Sequence, residues 1–565
     1  MNKLYFNIDP KSYVNDFSTK RSKSNINIEF NRVALIFFIF FIIYLIYSIH
    51  LIHLGSRAKA LDPYKSLDVV GPLNRADIID INGKYLAKTV SSTNIGIKPS
   101  EAINKKKLLL NLKYIFPDKN FNEIENKFKK NKFFYLEKNI SDEKYEQLMK
   151  LGDKSIKPEK KILRVYPQKN LFSHLIGQID SDNIGISGIE KSKNNLLRET
   201  KIPLQLTLDS DIQFLVRKEL LRFNNIFQTK GSAAILMNID NGNILSLVSL
   251  PDFDPNKREN IKDKNYINKI TKGVYELGSV FKTFTLAAAL DENLIEVDTK
   301  FIDLEKSIDC GKNTIREYDK KIPKDLTAEE ILIRSGNIGS VRIGQKIGVE
   351  KFKQFLTKIN LINKIEFDID EIGIPIPFKW GKCKLATTSF GHGITTTPLQ
   401  LAKGYAIVTN GGFDVNPTII KKKSKKLIKY KKRVLKENVS KKINPILRKI
   451  VTSKEGTANL ADVKGYEIGG KTGTAEKIVS GIYSNQKKIN TFASVFPISN
   501  PEFVLVVILD EPKINSEYIY NYRDGSNFKL KGSPRNTSGW TSVEATGHII
   551  EKIGPILATK YIEIN

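Results

Sequence analysis

Between Gly278 and Leu290 the chain reads Gly-Ser-Val-Phe-Lys-Thr-Phe-Thr-Leu-Ala-Ala-Ala-Leu, a small hydroxyl residue followed by a helix apolar on nearly every face. A helix of that kind is buried in the core of a large domain. Ser279 and Lys282 fall three apart in its first turn, so their side chains share one face. A lysine at the mouth of an apolar helix is partly desolvated, which lowers its pKa towards a neutral amine. Such an amine accepts the proton of a neighbouring hydroxyl, and the helix N-terminus offers unpaired N–H groups to developing negative charge. This is the chemistry of an activated serine nucleophile. The Ser-x-x-Lys pattern also occurs at Ser56, Ser141, Ser484 and Ser526, but only Ser279 opens a long apolar helix.

Two other short groups carry compatible chemistry. Ser335-Gly-Asn337 follows the helical run Thr327-Ala-Glu-Glu-Ile-Leu-Ile. A hydroxyl and an amide two apart on a loop both point into a cleft, one to pass a proton and the other to bind a peptide carbonyl. Lys471-Thr-Gly-Thr474 follows Ile468-Gly-Gly and precedes strand-forming sequence through Thr491 to Phe496. Glycine in a strand lets another backbone approach closely. A strand bearing Lys471, Thr472, Gly473 and Thr474 is suited to bind an extended peptide by strand addition, with a cation and hydroxyls at its carboxylate.

The elements that must position these groups are legible in outline. Leu204 to Asp209 is strand-like and Ile212 to Phe223 amphipathic. Ser232 to Met237 and Ile244 to Leu250 are apolar strands joined through Asp240-Asn-Gly242, a hairpin signal. Phe503 to Leu509 is a continuous apolar strand for the interior of a sheet. Strands, a helical middle and strands again imply an α+β domain with an antiparallel sheet flanked by helices. Upstream, Arg75 to Gly83 reads as a strand running into an Asn-Gly turn, and Ile103 to Lys157 as two or three amphipathic helices. That mixed α/β segment has no catalytic constellation, and spacing and docking are its expected work.

Val33 to Ile52 contains no Asp, Glu, Lys or Arg and, at 1.5 Å per residue, spans about 30 Å, the thickness of a bilayer's hydrocarbon core. No small-residue cleavage site follows. Basic residues (Lys3, Lys11, Lys20, Arg21, Lys23, Arg32) crowd the N-terminal flank, which places that side in the cytoplasm and the remainder outside. The expected division is a cytoplasmic tail over 1–32, a single-pass anchor over 33–53, a pedestal over 54–205 and a catalytic domain over 206–565.

With 41% hydrophobic and 27% charged residues among 565, the chain is globular with room for two or three domains. Its net charge of +30 is spread over every surface by a bias to lysine, without zinc-finger spacing or an RNA-binding aromatic signature, so no nucleic-acid partner is expected. The densest basic run, Lys421 to Arg433, reads as a solvated loop or a contact for anionic lipid or wall polymer. Cys310 and Cys383 are the only cysteines, too few for a disulfide framework; one bridge and two free thiols both fit. The five histidines are scattered and match no metal motif.

In this order the three groups resemble the Ser-x-x-Lys, Ser-x-Asn and Lys-Thr-Gly signature of penicillin-binding proteins and serine β-lactamases. Tyr275 to Lys282 and Ser389-Phe-Gly-His-Gly-Ile-Thr-Thr-Thr-Pro-Leu-Gln-Leu401 resemble segments of class B penicillin-binding proteins, most closely the septal FtsI type. Arg75 to Gly83, His174 to Gly177 and Gly188-Ile-Glu190 resemble the pedestal of the same family, so the likeness runs over roughly residues 30 to 550. Leu277 stands where that family usually has proline, and Gly336 where a second serine is common. The resemblance implies a β-lactamase-like transpeptidase domain in which Ser279 attacks a peptidoglycan stem peptide. Lys282 would accept its proton, and Ser335 with Lys471 would relay that proton. Asn337 would hold the peptide backbone, Lys471, Thr472 and Thr474 would recognise the terminal carboxylate with Thr474 the favoured contact, and Gly473 would be among the substrate-binding residues. It implies no metal or organic cofactor. It further implies an inner-membrane location, a polytopic glycosyltransferase and other division proteins as partners, and a carboxypeptidase side activity. The rival readings are an elongation-specific enzyme of the same class and a non-catalytic scaffold of the division machinery.

Overall fold

A computed structural model describes residues 20–57, 75–257, 266–311, 313–422, 432–479 and 481–562. The chain divides into two units, Met1–Pro72 and Leu73–Asn565. Of the first, the described part is one helix, α1 (Lys20–Arg57). Its stretch Ala34–Ile52 is 19 exposed residues, apolar apart from Ser48 and His50 and the tyrosine hydroxyls, long enough to cross a membrane. Residues 1–19 of the expected tail, and 423–431 of the basic run, lie outside the described residues.

The second unit begins with the expected strand and turn. Strand β1 (Ile78–Ile79) turns back at Gly83 into β2 (Tyr85–Ile97), an antiparallel pair. Three amphipathic helices follow, α2 (Lys105–Ile115), α3 (Phe121–Lys129) and α4 (Asp142–Met149). Asn104, Asn120 and Ser141 cap them by accepting from a backbone N–H three residues on. Between α3 and α4 the chain forms a short strand, β3 (Phe134–Glu137), in a stretch where only helices were expected. Strand β4 (Ile156–Val165) pairs along β2, and β5 (Leu204–Gln205) lies parallel to β1. Leu108, Leu112, Phe116, Ile124, Phe128 and Leu148 close a small core of their own. Ala76, Ile78 and Leu86, by contrast, belong to the large core that continues through the rest of the unit. At the junction Arg75 and Arg164 share the wholly buried carboxylate of Glu190, and Arg164 Nε approaches Glu190 Oε1 to 2.7 Å. Three residues far apart in sequence thus form one buried ion network, and removing one partner would strand the others' charge.

Helix α5 (Ser210–Phe227) starts on the Asp209 side chain, which accepts from two N–H groups of its first turn. The hairpin β6 (Gly231–Asn238) and β7 (Ile244–Leu250) then forms through the Asp-Asn-Gly turn, with Gly242 at φ 74°. The Gly278–Phe281 turn leads into α6 (Lys282–Asp291). After it come the short pair β8 (Lys300–Phe301) and β11 (Leu326–Thr327), enclosing the hairpin β9 (Ser307–Cys310) and β10 (Asn313–Arg316). Helices α7 (Ala328–Ile333), α8 (Asn337–Ile347), α9 (Lys382–Ser389), α10 (Pro398–Thr409) and α11 (Glu437–Thr452) fill the middle. Strands β12 (Gly469–Val479), β13 (Ile482–Phe496) and β14 (Phe503–Asp510) return to the sheet, and α12 (Ser542–Lys560) closes the chain.

The sheet has the order β12-β13-β14-β6-β7 and every pair is antiparallel. Strand β14 sits at its centre, and all eight of its residues are buried, as a continuous apolar run demands of a strand covered on both faces. Helices α5 and α12 pack together and against the sheet; α10 and α11 form a second packed pair, with α10 on β13 and β14 and α11 on β12. Cys310 of β9 is joined to Cys383 of α9 by a disulfide, resolving the alternative that composition left open.

Candidate active site

The chain reaches Ser279 through Tyr275, whose N–H and C=O both pair with Thr396 at 3.0 Å. It turns at Gly278, φ 66°, and makes a single 3-10 turn over Gly278–Phe281 before the α-helix proper begins at Lys282. The helix expected from Gly278 onward therefore starts in the tighter form, which aims the first side chains differently from an α-turn. Ser279 is half-buried and lines a cleft of about 830 Å³ together with Ser335, Asn337, Thr472 and Thr474. No hydrogen bond between Ser279 Oγ and Lys282 Nζ occurs in this state. Leu277, standing in for proline, is wholly buried.

Lys282 is fully buried beneath the cleft floor. Its Nζ donates to the Ser335 carbonyl, to Ser335 Oγ at 3.2 Å and to Asn337 Oδ1 at 2.7 Å. Burial pushes its pKa down to about 7, against the opposing pull of the Glu317 carboxylate. Three acceptors suit an ammonium; a neutral amine has two N–H groups and a lone pair, so one of these contacts reverses on deprotonation. Ser335, whose O–H can rotate, is the contact able to reverse.

Ser335 follows α7, which a Thr327–Glu330 capping box starts. Its φ of 58° lies in the left-handed region, and Gly336 N bonds back to Ile331 O at 2.9 Å to end the helix. A non-glycine residue held there stores strain of order 1 kcal/mol. The strained turn delivers Ser335 Oγ between two amines, for Lys471 Nζ approaches the same oxygen at 2.9 Å from the opposite side of the sequence. Lys471 is also fully buried and bonds Thr472 O at 3.1 Å. Burial first, and then the charge of Lys282, holds its pKa well below the ordinary lysine value. Asn337 opens α8 and donates through Nδ2 to Arg316 O at 2.8 Å, so one of its two N–H groups serves the hairpin.

Gly473 explains how strand β12 comes so near the turn that carries Ser279: a Cβ there would lie 2.2 Å from Leu277 O. Thr472 Oγ1 shares a 2.7 Å hydrogen bond with Thr457 Oγ1. Thr474 Oγ1 accepts from Ser538 N at 3.0 Å, which leaves its own proton to donate into the cleft. All eight expected residues thus gather in one place.

Glu317, Thr457 and Ser538 join them without having been expected. Glu317 accepts from Asn337 N at 2.6 Å and Ile338 N at 2.8 Å, a carboxylate on the positive end of α8. Its sequence surroundings, Ile-Arg-Glu-Tyr, resemble any charged strand edge.

The comparisons agree with this architecture. The family model described as the penicillin binding protein transpeptidase domain matches residues 232–526, and that of the penicillin-binding protein dimerisation domain matches residues 71–219. The chain belongs to the penicillin-binding protein transpeptidase family. It is 31% identical to the probable peptidoglycan D,D-transpeptidase FtsI of Caulobacter vibrioides, over 86% of this chain and 82% of that protein. It is 29% identical to the stage V sporulation protein D of Bacillus subtilis, over 78% and 74%. The crystal structure of penicillin binding protein 3 from Mycobacterium tuberculosis, complexed with aztreonam, shares the fold with a TM-score of 0.64 at 22% identity, over 87% of this chain and 97% of that one.

Proposed function

We propose that the chain is a membrane-anchored, serine-type peptidoglycan D,D-transpeptidase that cross-links stem peptides at the division septum. The observation that carries the reading is Ser335 Oγ held between two buried amines beside a half-exposed Ser279. Ser279 Oγ attacks the carbonyl of the penultimate D-alanine, and Lys282 takes its proton. The carbonyl C–N bond breaks; Ser335 and Lys471 deliver the proton to the departing terminal D-alanine. Backbone N–H groups of Ser279 and Thr474 hold the oxyanion, an interaction worth several kcal/mol in such sites. Asn337 binds the stem backbone; Lys471, Thr472 and Thr474 receive the terminal carboxylate beside Gly473. An amine from a second stem then displaces Ser279, and water in its place yields a carboxypeptidase side reaction.

The septal role is supported by the FtsI name that the Caulobacter relative carries. The chain is divided into tail (1–32), anchor (33–53), pedestal (54–205) and transpeptidase domain (206–565), with the tail in the cytoplasm, the anchor across the inner membrane and the pedestal and transpeptidase domains outside it. The Cys310–Cys383 bridge supports that orientation, since disulfides persist in oxidising compartments. A polytopic glycosyltransferase and other division proteins are the partners this arrangement calls for. The test is covalent labelling of the full-length protein by a fluorescent β-lactam. Labelling is lost in Ser279→Ala; equal labelling of that variant overturns the assignment. Midcell enrichment in dividing cells checks the septal role, and an even lateral distribution refutes it.

A further inference from the structure

The transfer step needs a proton acceptor on the side where the second stem arrives. An alkyl amine is an ammonium at neutral pH and cannot attack until it loses a proton. Lys282 and Lys471 are both engaged on Ser335 and serve the nucleophile. Another ionisable group, His392, lines the same cleft.

His392 sits on the loop after α9. That loop lies directly on the nucleophile's turn: a Cβ at Gly391 would come within 1.9 Å of Gly278 O. The imidazole side chain is 42% exposed, and its Nδ1 is 3.7 Å from Glu276 Oε2. Glu276 precedes Ser279 by three residues and is itself held from two sides, accepting from Gly393 N at 3.0 Å and from Tyr483 OH at 3.0 Å. The ring stacks on Phe390, with centroids 5.9 Å apart and an interplanar angle of 12°, and lies 4.5 Å from the Tyr483 ring. The other charged groups around this corner are Lys384, bonded to Gly393 O, and Glu476 and Lys488 on the facing strands that line the cleft. A carboxylate beside Nδ1 favours the tautomer protonated there, which leaves Nε2 as a proton acceptor.

We propose that His392, oriented by Glu276, takes a proton from the incoming acceptor amine in the transfer step; the proposal rests on the acyl-enzyme reading above. The ammonium gives one proton to Nε2. The freed nitrogen attacks the acyl carbonyl, the C–N bond forms, and the C–Oγ bond to Ser279 breaks. The remaining surplus proton on nitrogen passes through Lys282 to Ser279 Oγ, and His392 releases its own to solvent. The substrate class is a primary amine on an aliphatic side chain, charged on arrival.

The experiment uses the full-length enzyme in detergent with a soluble thioester acyl donor and a D-amino acid as acceptor. Acylation by the donor and aminolysis of the acyl-enzyme are read in the same reaction. In His392→Ala and His392→Gln the ratio of aminolysis to acylation falls at least ten-fold. Hydroxylamine, already uncharged at neutral pH, restores that ratio as acceptor, which loss of shape would not permit. An unchanged ratio in both variants, full retention in His392→Gln, or an equal loss with hydroxylamine overturns the proposal. Absence of acylation in the wild-type enzyme would instead refute the transpeptidase reading itself.

Discussion

Glu317 sets its carboxylate against the helix that Asn337 opens, 2.6 Å from Asn337 N, and the same charge raises the pKa of Lys282. A surface hairpin therefore reaches the buried amine of Lys282 electrostatically. Replacing Glu317 by Gln keeps an acceptor for the helix N-terminus and removes the charge, so Lys282 loses its proton more easily. The acid limb of the pH profile for β-lactam acylation moves to lower pH in this variant; a limb that stays in place shows that Glu317 acts on the helix alone.

The wild-type profile has a defined sign. In the proposed mechanism Lys282 must be neutral to accept the Ser279 proton, and burial brings its pKa to about 7. Acylation is therefore fastest above neutrality and falls about ten-fold for each further pH unit well below 7. Stopped-flow acylation between pH 5 and 9 measures it.

Burying this amine costs stability. Its pKa is lower folded than unfolded, so between about pH 7 and 10.5 the unfolded chain binds the extra proton and stability rises with pH through that window. Lys282→Met abolishes acylation yet raises stability at pH 7 by a few kcal/mol, and the rise with pH flattens. Thermal unfolding at pH 7 and pH 9 compares the two proteins.

Gly473→Ala tests the closeness of β12 to the nucleophile turn. A methyl group 2.2 Å from Leu277 O has to push the strand away from Ser279. Acylation falls at least 100-fold, as misplacement by about 1 Å does in such sites, while circular dichroism keeps its native form.

The disulfide closes a loop of 73 residues between β9 and α9. Constraint of the unfolded chain makes it worth about 4 kcal/mol. Cys310→Ser, or reductant added to the wild type, lowers the melting temperature by several degrees, and the variant becomes insensitive to reductant.

How far these features could be read beforehand depends on whether their cause is local. The apolar run after Ser279, the apolar strands β6 and β7 with their Asp-Asn-Gly turn and the seven-residue apolar run Phe503–Leu509 of β14 are local patterns, and each became the element expected. Strand order was not legible. β14 pairs with β6, far from it in sequence, because the helices between them carry the chain back over the sheet. β3 was missed because Phe-Phe-Tyr-Leu-Glu among lysines reads as part of an amphipathic helix, whereas pairing with Ile95 and Ile97 makes it a strand. The eight site residues were legible as motifs. Glu317 was not, for its role arises only where it meets a helix end across a loop. Cys310 and Cys383 likewise needed the fold to bring their Cα atoms to 5.2 Å.

Two amines on one hydroxyl also constrain how charge circulates in the site. Both are shielded from water, and the charge of Lys282 disfavours ionisation of Lys471, so the nest around Ser335 holds one mobile proton more comfortably than two. In the proposed reaction that proton would enter from Ser279 and leave on the departing D-alanine. The proposed acyl-enzyme would thereby return to the protonation state in which the resting enzyme began, ready for its second substrate without exchange with the solvent.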